Sequence, residues 1–239
     1  MKDLTETGET ERDFESYLYI VTHDLKTYSR AMRVIPEWIE EDLGAAGHAV
    51  PAEVREHVTM LRDYARGLDL MLDGLTELSR VGRLADTPDR HPLPEALCDA
   101  WCRVPGRDGF DLDLSQAAGA VVAPGNDLDR MLFAVLSNCV RHHDAAQGHV
   151  TVRTRCDGAR LILTVTDDGP GVDPDYRRKV FEPLFTLRAK DEVGTAGMGL
   201  AVAEKVAKTL GGSIAIVDTP ARRGCTVEIG LPLAPAPIV

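Results

Sequence analysis

Two runs of apolar residues at heptad spacing occupy the first third of the chain and constrain its fold more than any other feature. The first run advances in alternating steps of about four and three through Phe14, Leu18, Val21, Leu25, Tyr28, Met32, Ile35 and Ile39. The second advances through Val54, Val58, Leu61, Ala65, Leu68, Leu72 and Leu75. Such spacing gathers apolar side chains on one face of a helix, where they pack against another helix. The pattern therefore predicts two long helices.

The segment between the runs, LGAAGHAVP, contains glycines and a proline that end one helix and begin the next. We therefore predict an antiparallel helical hairpin over residues 13–83. Leu70, Met71 and Leu78 widen the second stripe beyond what one partner helix covers. Two hairpins that dimerise into a four-helix bundle would bury this stripe.

The texture changes after the proline-containing stretch LADTPDRHPLPEAL, within which we place a linker at residues 84–94. Strand-like runs then alternate with helical patterns over residues 95–233, which predicts a second domain. The expected class is α+β, with a helical hairpin followed by an α/β sandwich. One of its helices, in NDLDRMLFAVLSNCVRHHD, is predicted to start at the capping pair Asn126 and Asp127.

The charge and composition of the chain limit the classes of molecule that it is expected to bind. The chain has 239 residues, 44% of them hydrophobic, and a formal net charge of −11. Nucleic acid and anionic membranes are expected to be repelled by it. The polar N-terminus MKDLTETGETERD lacks the pattern of a signal peptide, and no long apolar run predicts a membrane span, so we expect a cytoplasmic protein. The five cysteines are scattered and are expected to be reduced thiols.

The first helix carries a His-Asp pair in the stretch YIVTHDLKTYSR. With Leu18 and Leu25 at heptad position a, His23 falls at position f, which predicts that its imidazole points to solvent. Thr27 lies one turn further on the same face. Taken alone, the pattern fits an ordinary surface histidine as well as a reactive one.

Three stretches of the second half carry groups suited to a nucleotide. On the helix just described, Asn138, Arg141 and His142 share one face, which is either a solvated surface or a place for a metal-bound triphosphate. In RLILTVTDDGPGVDP, a strand ends at Asp167 and glycines follow at 169 and 171. This pattern suits a hairpin turn, or a carboxylate that accepts a hydrogen bond from an exocyclic amine.

The third stretch, AGMGLAVAEKVAKTLGG, places Gly197 and Gly199 at the start of a helix, where free amides and the helix dipole favour an anion. Before it, a fourth stretch, VFEPLFTLRAKDEVGT, has the pattern of a short amphipathic segment that leads into a polar, lid-like loop. A single G-x-G is weak evidence. The order and spacing of all these elements are far more specific.

Together the stretches resemble the N, G1, F and G2 boxes of the histidine-kinase ATPase domain, the Bergerat or GHKL fold, in which ATP lies under a mobile lid. The first half resembles the dimerisation and histidine-phosphotransfer domain of sensor histidine kinases, with THDLKT in place of the H box. MLDGLTELSRVGR is similar to a helix end found in the phytochrome-like branch. The resemblance covers residues 13–233.

The resemblance implies a role for each position. His23 takes the γ-phosphoryl group of ATP, Asp24 binds the other ring nitrogen, and Thr27 orients a water that removes phosphate from a response regulator. Asn138 is the Mg²⁺ ligand, and Asp167 reads the adenine amino group. The remaining positions implied to bind the nucleotide are Arg141, His142, Gly169, Gly171, Gly197, Gly199 and Leu200.

Three positions depart from the family pattern. Tyr28 stands where the H box usually continues with a proline, so the helix bend that proline gives is expected to be absent. Ala134 stands where the N box commonly has a second asparagine or an acid, which removes one polar group near Mg²⁺ and predicts slow ATP turnover. Ala196 replaces the usual serine or threonine, a minor change.

The resemblance implies a soluble, homodimeric histidine kinase that autophosphorylates on His23 with Mg-ATP and passes the phosphoryl group to the receiver domain of a response regulator. Because few residues precede the first helix, we expect the stimulus to arrive from a separate sensory protein. An alternative is a phosphotransferase or response-regulator phosphatase that does not use ATP. An anti-sigma serine kinase on the same ATPase fold would leave the hairpin and its His-Asp pair without purpose.

Overall fold

The computed structural model describes residues 3–187, 196–219 and 223–233, with side chains described from residue 20 onward. Within these ranges the chain forms two compact units, the first holding residues 3–79 and the second residues 80–187, 197–219 and 223–233. Two long helices come first and an α/β unit follows, so the predicted α+β class is confirmed.

The first unit is built on two helices, α1 (Asp3–Ala45) and α2 (Ala52–Arg80). Contacts between them pair Thr22 with Thr76, Ser29 with Ala65 and Glu40 with Arg62. Partner numbers fall along α2 as they rise along α1, so the helices are antiparallel and the predicted hairpin is confirmed. α1 continues through Tyr28, as expected without a proline there, and has Pro36 in its interior.

The face of α1 turned toward α2 carries small side chains, two of which are polar. Thr22, Ser29 and Pro36, spaced by seven residues, are all buried. Ion pairs flank this contact, with Lys26 Nζ 2.7 Å from Asp73 and Arg62 Nη2 2.6 Å from Glu40. The apolar heptad run of α1 from Phe14 to Ile39, called the seam below, lies on a different face of the helix. Its members are 37–66% exposed at Leu25, Tyr28, Met32, Ile35 and Ile39.

The second unit contains a five-stranded sheet and a separate strand pair. The sheet order is β2-β4-β5-β7-β6, with β2 parallel to β4 and the other neighbours antiparallel. β1 pairs with β3 in antiparallel fashion. The strand bounds are β1 (Asp89–Pro92), β2 (Phe110–Gln116), β3 (Ala120–Ala123), β4 (Gly148–Asp157), β5 (Arg160–Asp167), β6 (Ser213–Val217) and β7 (Thr226–Pro232).

The second unit has three α-helices among its described residues: α3 (Leu93–Cys102), α4 (Gly125–Arg141) and α5 (Gly199–Thr209). α4 and α5 pack against each other and against the five-stranded sheet, and α3 packs against α4 and β1. Short 3₁₀ turns occur at Arg107–Gly109, Pro174–Tyr176 and Lys179–Phe181. The apolar face of α4 is at the centre of the core, as its periodicity predicts. Its members are at most 1% exposed at Leu128, Met131, Leu132, Val135 and Leu136.

The start of α4 differs from the prediction. The N-cap position is Pro124, which offers no side-chain cap, so Asn126 and Asp127 lie inside the first turn. Asp127 is fully buried and accepts hydrogen bonds from the Gly82 amide at 3.0 Å and from Arg130 at 2.7 Å. These residues therefore anchor the segment that follows α2 instead of capping α4. Part of the stretch predicted as a linker, Asp89–Pro92, is strand β1.

Among the described helices, none has a stretch long and apolar enough to cross a membrane.

Candidate active site

His23 projects from α1 into solvent. Its side chain is 73% exposed, which confirms the exposure that heptad position f predicts, and its Nδ1 lies 3.3 Å from Asp24 Oδ1. A carboxylate at Nδ1 favours the tautomer with the proton on that atom, leaving the lone pair on Nε2. Thr27, one turn further along the same face, is also exposed. The arrangement presents a free imidazole nitrogen to an incoming electrophile.

Asp167 ends strand β5 and is held by the backbone around it. Its Oδ1 accepts hydrogen bonds from the amides of Gly169 at 2.9 Å and Cys225 at 3.1 Å, and its own amide donates to the Cys225 carbonyl oxygen at 3.0 Å. Desolvation raises the pKa of Asp167, and the two amide donors oppose that rise. The Asp167 carboxylate is therefore held in one orientation in a partly buried site, which suits it to accept a hydrogen bond from one specific donor.

Two thiols flank this carboxylate, and sequence reasoning did not assign either to the site. Cys139 is buried on α4, where its thiol donates to the Val135 carbonyl oxygen at 3.4 Å, and it lies close enough to Asp167 for that carboxylate to help raise its pKa. Burial raises the pKa of Cys139 well above its ordinary value, and burial together with Asp167 raises the pKa of Cys225 to about 12. Both thiols are therefore neutral at physiological pH and form a small apolar wall beside the carboxylate. The one signal in the sequence was the position of Cys139 directly after Asn138.

Close backbone approach explains two glycines of the site. Gly224 has φ +112°, and a Cβ placed there would lie 1.9 Å from the carbonyl oxygen of Asp167. This glycine was also missed, because the stretch RRGCT carries no strong motif by itself. Gly197 has φ +70°, and its Cβ would lie 2.4 Å from the Phe185 carbonyl oxygen. A side chain at either position would displace the backbone that shapes the site.

The last turn of α4 carries the predicted phosphate-facing residues. Asn138 is half-buried, Arg141 is the exposed final residue, and the amide of His142 donates to the Asn138 carbonyl oxygen at 3.1 Å. Desolvation lowers the pKa of Arg141, which remains a cation because the ordinary pKa of arginine lies far above neutrality.

α4 also meets the start of α5. Ala134 lies one turn before Asn138 on the same face, and its Cβ is 3.9 Å from the position that a Cβ on Gly199 would take. Leu200, the next residue of α5, is 7% exposed. The fold thus brings the α4 face that carries Asn138 to the N-terminus of α5, while Cys139 on a neighbouring face reaches Asp167. Residues 188–195, where the lid-like loop was predicted, lie outside the described residues.

The donor chemistry fits a magnesium ion that arrives with a nucleotide. Asn138 offers one amide oxygen, and Mg²⁺ in nucleotide sites typically takes one or two protein oxygens, several waters and substrate phosphates. Within the described ranges, no group of three His, Cys, Asp or Glu side chains is placed to hold a metal. Asn138 would therefore hold the ion together with the triphosphate.

Residues 124–235 match the family described as histidine kinase-, DNA gyrase B-, and HSP90-like ATPases. A sensor protein KdpD from Rathayibacter rathayi is 30% identical over 98% of this chain and 27% of its own length. The fold resembles that of full-length ShkA in complex with AMPPNP, with a TM-score of 0.62 and 23% identity over 93% of this chain and 47% of that one.

It also resembles the histidine kinase ThkA in complex with the response regulator protein TrrA, with a TM-score of 0.62 and 16% identity over 96% of this chain and 66% of that one. The chain spans about a quarter of the length of the first curated relatives that it matches, 24% and 27%. The KdpD match covers both units, so the chain is similar to a histidine-kinase sensor protein over nearly its whole length, and residues 124–235 form an ATPase domain of the histidine kinase-, DNA gyrase B-, and HSP90-like (GHKL) type.

Proposed function

We propose that this chain is an ATP-dependent protein-histidine kinase in which His23 accepts the γ-phosphoryl group of ATP. The observation that carries the proposal is the His23–Asp24 pair, a solvent-exposed imidazole whose Nδ1 faces a carboxylate at 3.3 Å. The same chain contains a GHKL-type ATPase domain. An exposed nucleophile is what a transfer between a nucleotide unit and a helix surface requires, because a buried imidazole would be out of reach of the phosphorus.

Asp167 is proposed to read the adenine base. Its carboxylate is held by the amides of Gly169 and Cys225, so it can accept a hydrogen bond from the 6-amino group without rearranging. Gly171, Gly197 and Gly199 keep backbone close to the nucleotide, and Leu200 adds an apolar contact. Arg141 and His142 are proposed to face the phosphates at the end of α4.

The transfer step needs little covalent chemistry from the protein. The lone pair on His23 Nε2 attacks the γ-phosphorus while the bond from that phosphorus to the β,γ-bridging oxygen breaks, and ADP leaves. Positive charge develops on the ring, and Asp24 stabilises it at Nδ1 or accepts the proton. Asn138 would hold a magnesium ion, which when bound would neutralise charge on the phosphates.

The proposed recipient of the phosphoryl group is the receiver aspartate of a response regulator. ThkA, a structural neighbour, forms a complex with the response regulator protein TrrA. The exposed surface of α1 that carries His23 also carries Thr27, which is proposed to orient a water for dephosphorylation of that regulator.

Homodimerisation is proposed to occur through the seam of α1. Leu25, Met32 and Ile35 are 37–47% exposed in the single chain. Packing against a second copy in a four-helix bundle would bury these apolar side chains. Each Å² of apolar surface removed from water would stabilise the dimer by about 25 cal/mol.

Incubation with γ-labelled Mg-ATP tests the kinase. We expect acid-labile, base-stable label on the wild type, none on His23→Gln, and normal labelling of His48→Gln, a control at another exposed histidine. Equilibrium titration with ATP runs in parallel. A wild type that binds ATP without becoming labelled contradicts the kinase and favours the phosphotransferase or phosphatase alternative, and Ala134→Asn would then show whether the missing N-box polar group is the cause.

A further inference from the structure

We propose that His143 is a positioning residue that sets the base selectivity of the nucleotide site. The proposal rests on the proposed function, since it takes Asp167 to be the group that reads the adenine amino group. His143 follows α4 directly after His142, and neither the motif set nor the proposed phosphate contacts include it.

The imidazole of His143 is fixed on all sides. Its side chain is 4% exposed, and its ring meets the Phe110 ring edge to face, with centroids 5.2 Å apart and planes at 87°. Nε2 lies 3.0 Å from Asp168 Oδ1, and Nδ1 lies 3.0 Å from the amide nitrogen of Ala145. In the neutral ring with hydrogen on Nε2, that nitrogen donates to Asp168 and Nδ1 accepts from Ala145.

Asp168 passes this constraint to the base-reading residue. Its Oδ1 also accepts a 2.8 Å hydrogen bond from the His149 amide. Desolvation works against ionisation, but the donors from His149 and His143 outweigh it and lower the pKa of Asp168. The carboxylate is therefore charged and tied to two points, so the backbone of its neighbour Asp167 is held at the end of β5.

A second tie holds the other side of Asp167. Arg223 Nε donates to the Gly169 carbonyl oxygen at 3.0 Å, and the same guanidinium pairs with Asp144, the residue after His143. Gly169 is the residue whose amide donates to Asp167 Oδ1. The loop at residues 142–147 thus contacts the segment around Asp167 at two points, through His143 on Asp168 and through Asp144 on Arg223. The His143 contact is the buried one.

The selectivity of the site for adenine should depend on these two contacts, because they hold Asp167 in place. A carboxylate favours the 6-amino group of adenine, whereas the 6-oxo group of hypoxanthine would place two acceptors against each other. Sites built to bind one donor discriminate strongly only while the acceptor cannot move away from the wrong partner. Loss of the His143 hydrogen bonds should therefore lower affinity for ATP more than affinity for inosine triphosphate.

The test measures dissociation constants for ATP and inosine triphosphate by equilibrium titration and compares their ratio across variants. We expect the preference for ATP to fall about tenfold in His143→Ala, the effect of losing one hydrogen bond to a charged group. His143→Gln, whose amide can still donate to Asp168, should keep most of the preference. His149→Ala is the matched control, because His149 Nδ1 also pairs with an aspartate, Asp111, at 3.1 Å, but its side chain is exposed.

His143→Phe keeps an aromatic ring against Phe110 and removes both nitrogens, so it replaces His143→Ala if that variant does not fold. An unchanged ratio in a folded His143→Ala or His143→Phe overturns the proposal, as does an equal fall in His149→Ala. A wild type that binds neither nucleotide overturns the proposed function itself, and this inference with it. A wild type that prefers ATP while the His143 variants retain that preference leaves the kinase intact and rejects only the role of His143.

Discussion

The hydroxyl of Ser29 donates a 3.0 Å hydrogen bond to the carbonyl oxygen of Ala65, and both residues are at most 1% exposed. Small side chains at this point let α1 and α2 approach closely. The hairpin is therefore closed by a small, polar contact, and the longest apolar stripe of α1 stays on a different face. This separation is what a helix needs when it packs on one partner within the chain and on another between chains.

A charge in the seam should dissociate the proposed dimer. In Leu25→Asp each chain of a symmetric pair would bury an unpaired carboxylate, which costs several kcal/mol, so we expect the dimer dissociation constant to rise at least about a hundredfold. Sedimentation equilibrium measures this, with circular dichroism to show that the helices remain. Leu84→Asp is the control, because Leu84 is also exposed, at 52%, but lies outside the seam. A monomeric wild type, or a Leu25→Asp variant that dimerises normally, contradicts the interpretation.

Removal of the charge beside His23 should slow transfer without weakening nucleotide binding. Asp24→Asn keeps the shape of the side chain but loses the carboxylate that faces Nδ1 at 3.3 Å. We expect labelling at saturating ATP to slow about 100-fold or more, because general acid-base catalysis typically contributes about 10²–10⁴-fold. Single-turnover labelling and ATP titration separate the two effects. Asp42→Asn, at an exposed aspartate of the same helix, should label at the wild-type rate.

The periodic parts of the fold were predictable because burial imposes periodicity. The heptad pattern predicted both long helices, and the inward face of α4 from Leu128 to Leu136 is buried as expected. The start of α4 was not predicted correctly, because an aspartate at this point of the sequence is equally compatible with an N-cap and with a buried hydrogen-bond acceptor inside the first turn. Only the tertiary position of Gly82, 45 residues earlier, turns Asp127 into a buried acceptor.

The candidate site divides in the same way. Asp167 and Gly197 were visible because each stands in a motif with a local physical reason. Gly224 and Cys225 were not, because their role depends on a strand far along the chain meeting the end of β5. The role of His143 was not predictable for a similar reason. A histidine directly after a helix is usually solvent-exposed, and only the tertiary contacts with Asp168 and Phe110 bury this one.

A methyl group on Gly224 should damage both stability and nucleotide binding. The new Cβ of Gly224→Ala would collide with the Asp167 carbonyl oxygen at 1.9 Å, so the segment must shift and withdraw the Cys225 amide from Asp167. We expect a loss of about 3 kcal/mol or more in the free energy of unfolding, measured by urea denaturation. Gly158→Ala is the control, since Gly158 also has positive φ, +59°, but has open space around it. Its cost should be about 1 kcal/mol, and equal losses in both variants would contradict the close-approach argument.

The reactivity of the five thiols should show that Cys139 and Cys225 are buried beside Asp167. Cys98, Cys102 and Cys156 are exposed, whereas Cys139 and Cys225 are buried with raised pKa values. Because the thiolate is the reactive form, we expect the three exposed thiols to react with a disulfide reagent in the native protein, Cys98 more slowly since Cys102 raises its pKa, and all five to react only after denaturation. Mass spectrometry of the labelled peptides identifies the sites. Rapid native labelling of Cys139 would contradict its placement against Asp167.

Replacement of Asp167 by asparagine should weaken the site and stabilise the protein. The amide presents a donor to the adenine amino group, so the dissociation constant for ATP should rise about 10–100-fold. Burial raises the pKa of Asp167 in the folded state, so the native protein binds this proton more readily than the unfolded chain, and the ionised carboxylate costs stability at neutral pH.

The variant without nucleotide should therefore melt higher than the wild type at pH 7, by about 2–4 °C if the gain is near 1 kcal/mol. As the pH falls through the folded-state pKa of Asp167, the wild type takes up its proton and the advantage of Asp167→Asn shrinks, vanishing below the ordinary pKa of an aspartate. Scanning calorimetry of both proteins across this range gives the difference directly. Asp175→Asn, at an exposed carboxylate, should show neither the gain nor its pH dependence. A variant less stable than the wild type at neutral pH would show that the amide donors from Gly169 and Cys225 depend on the charge.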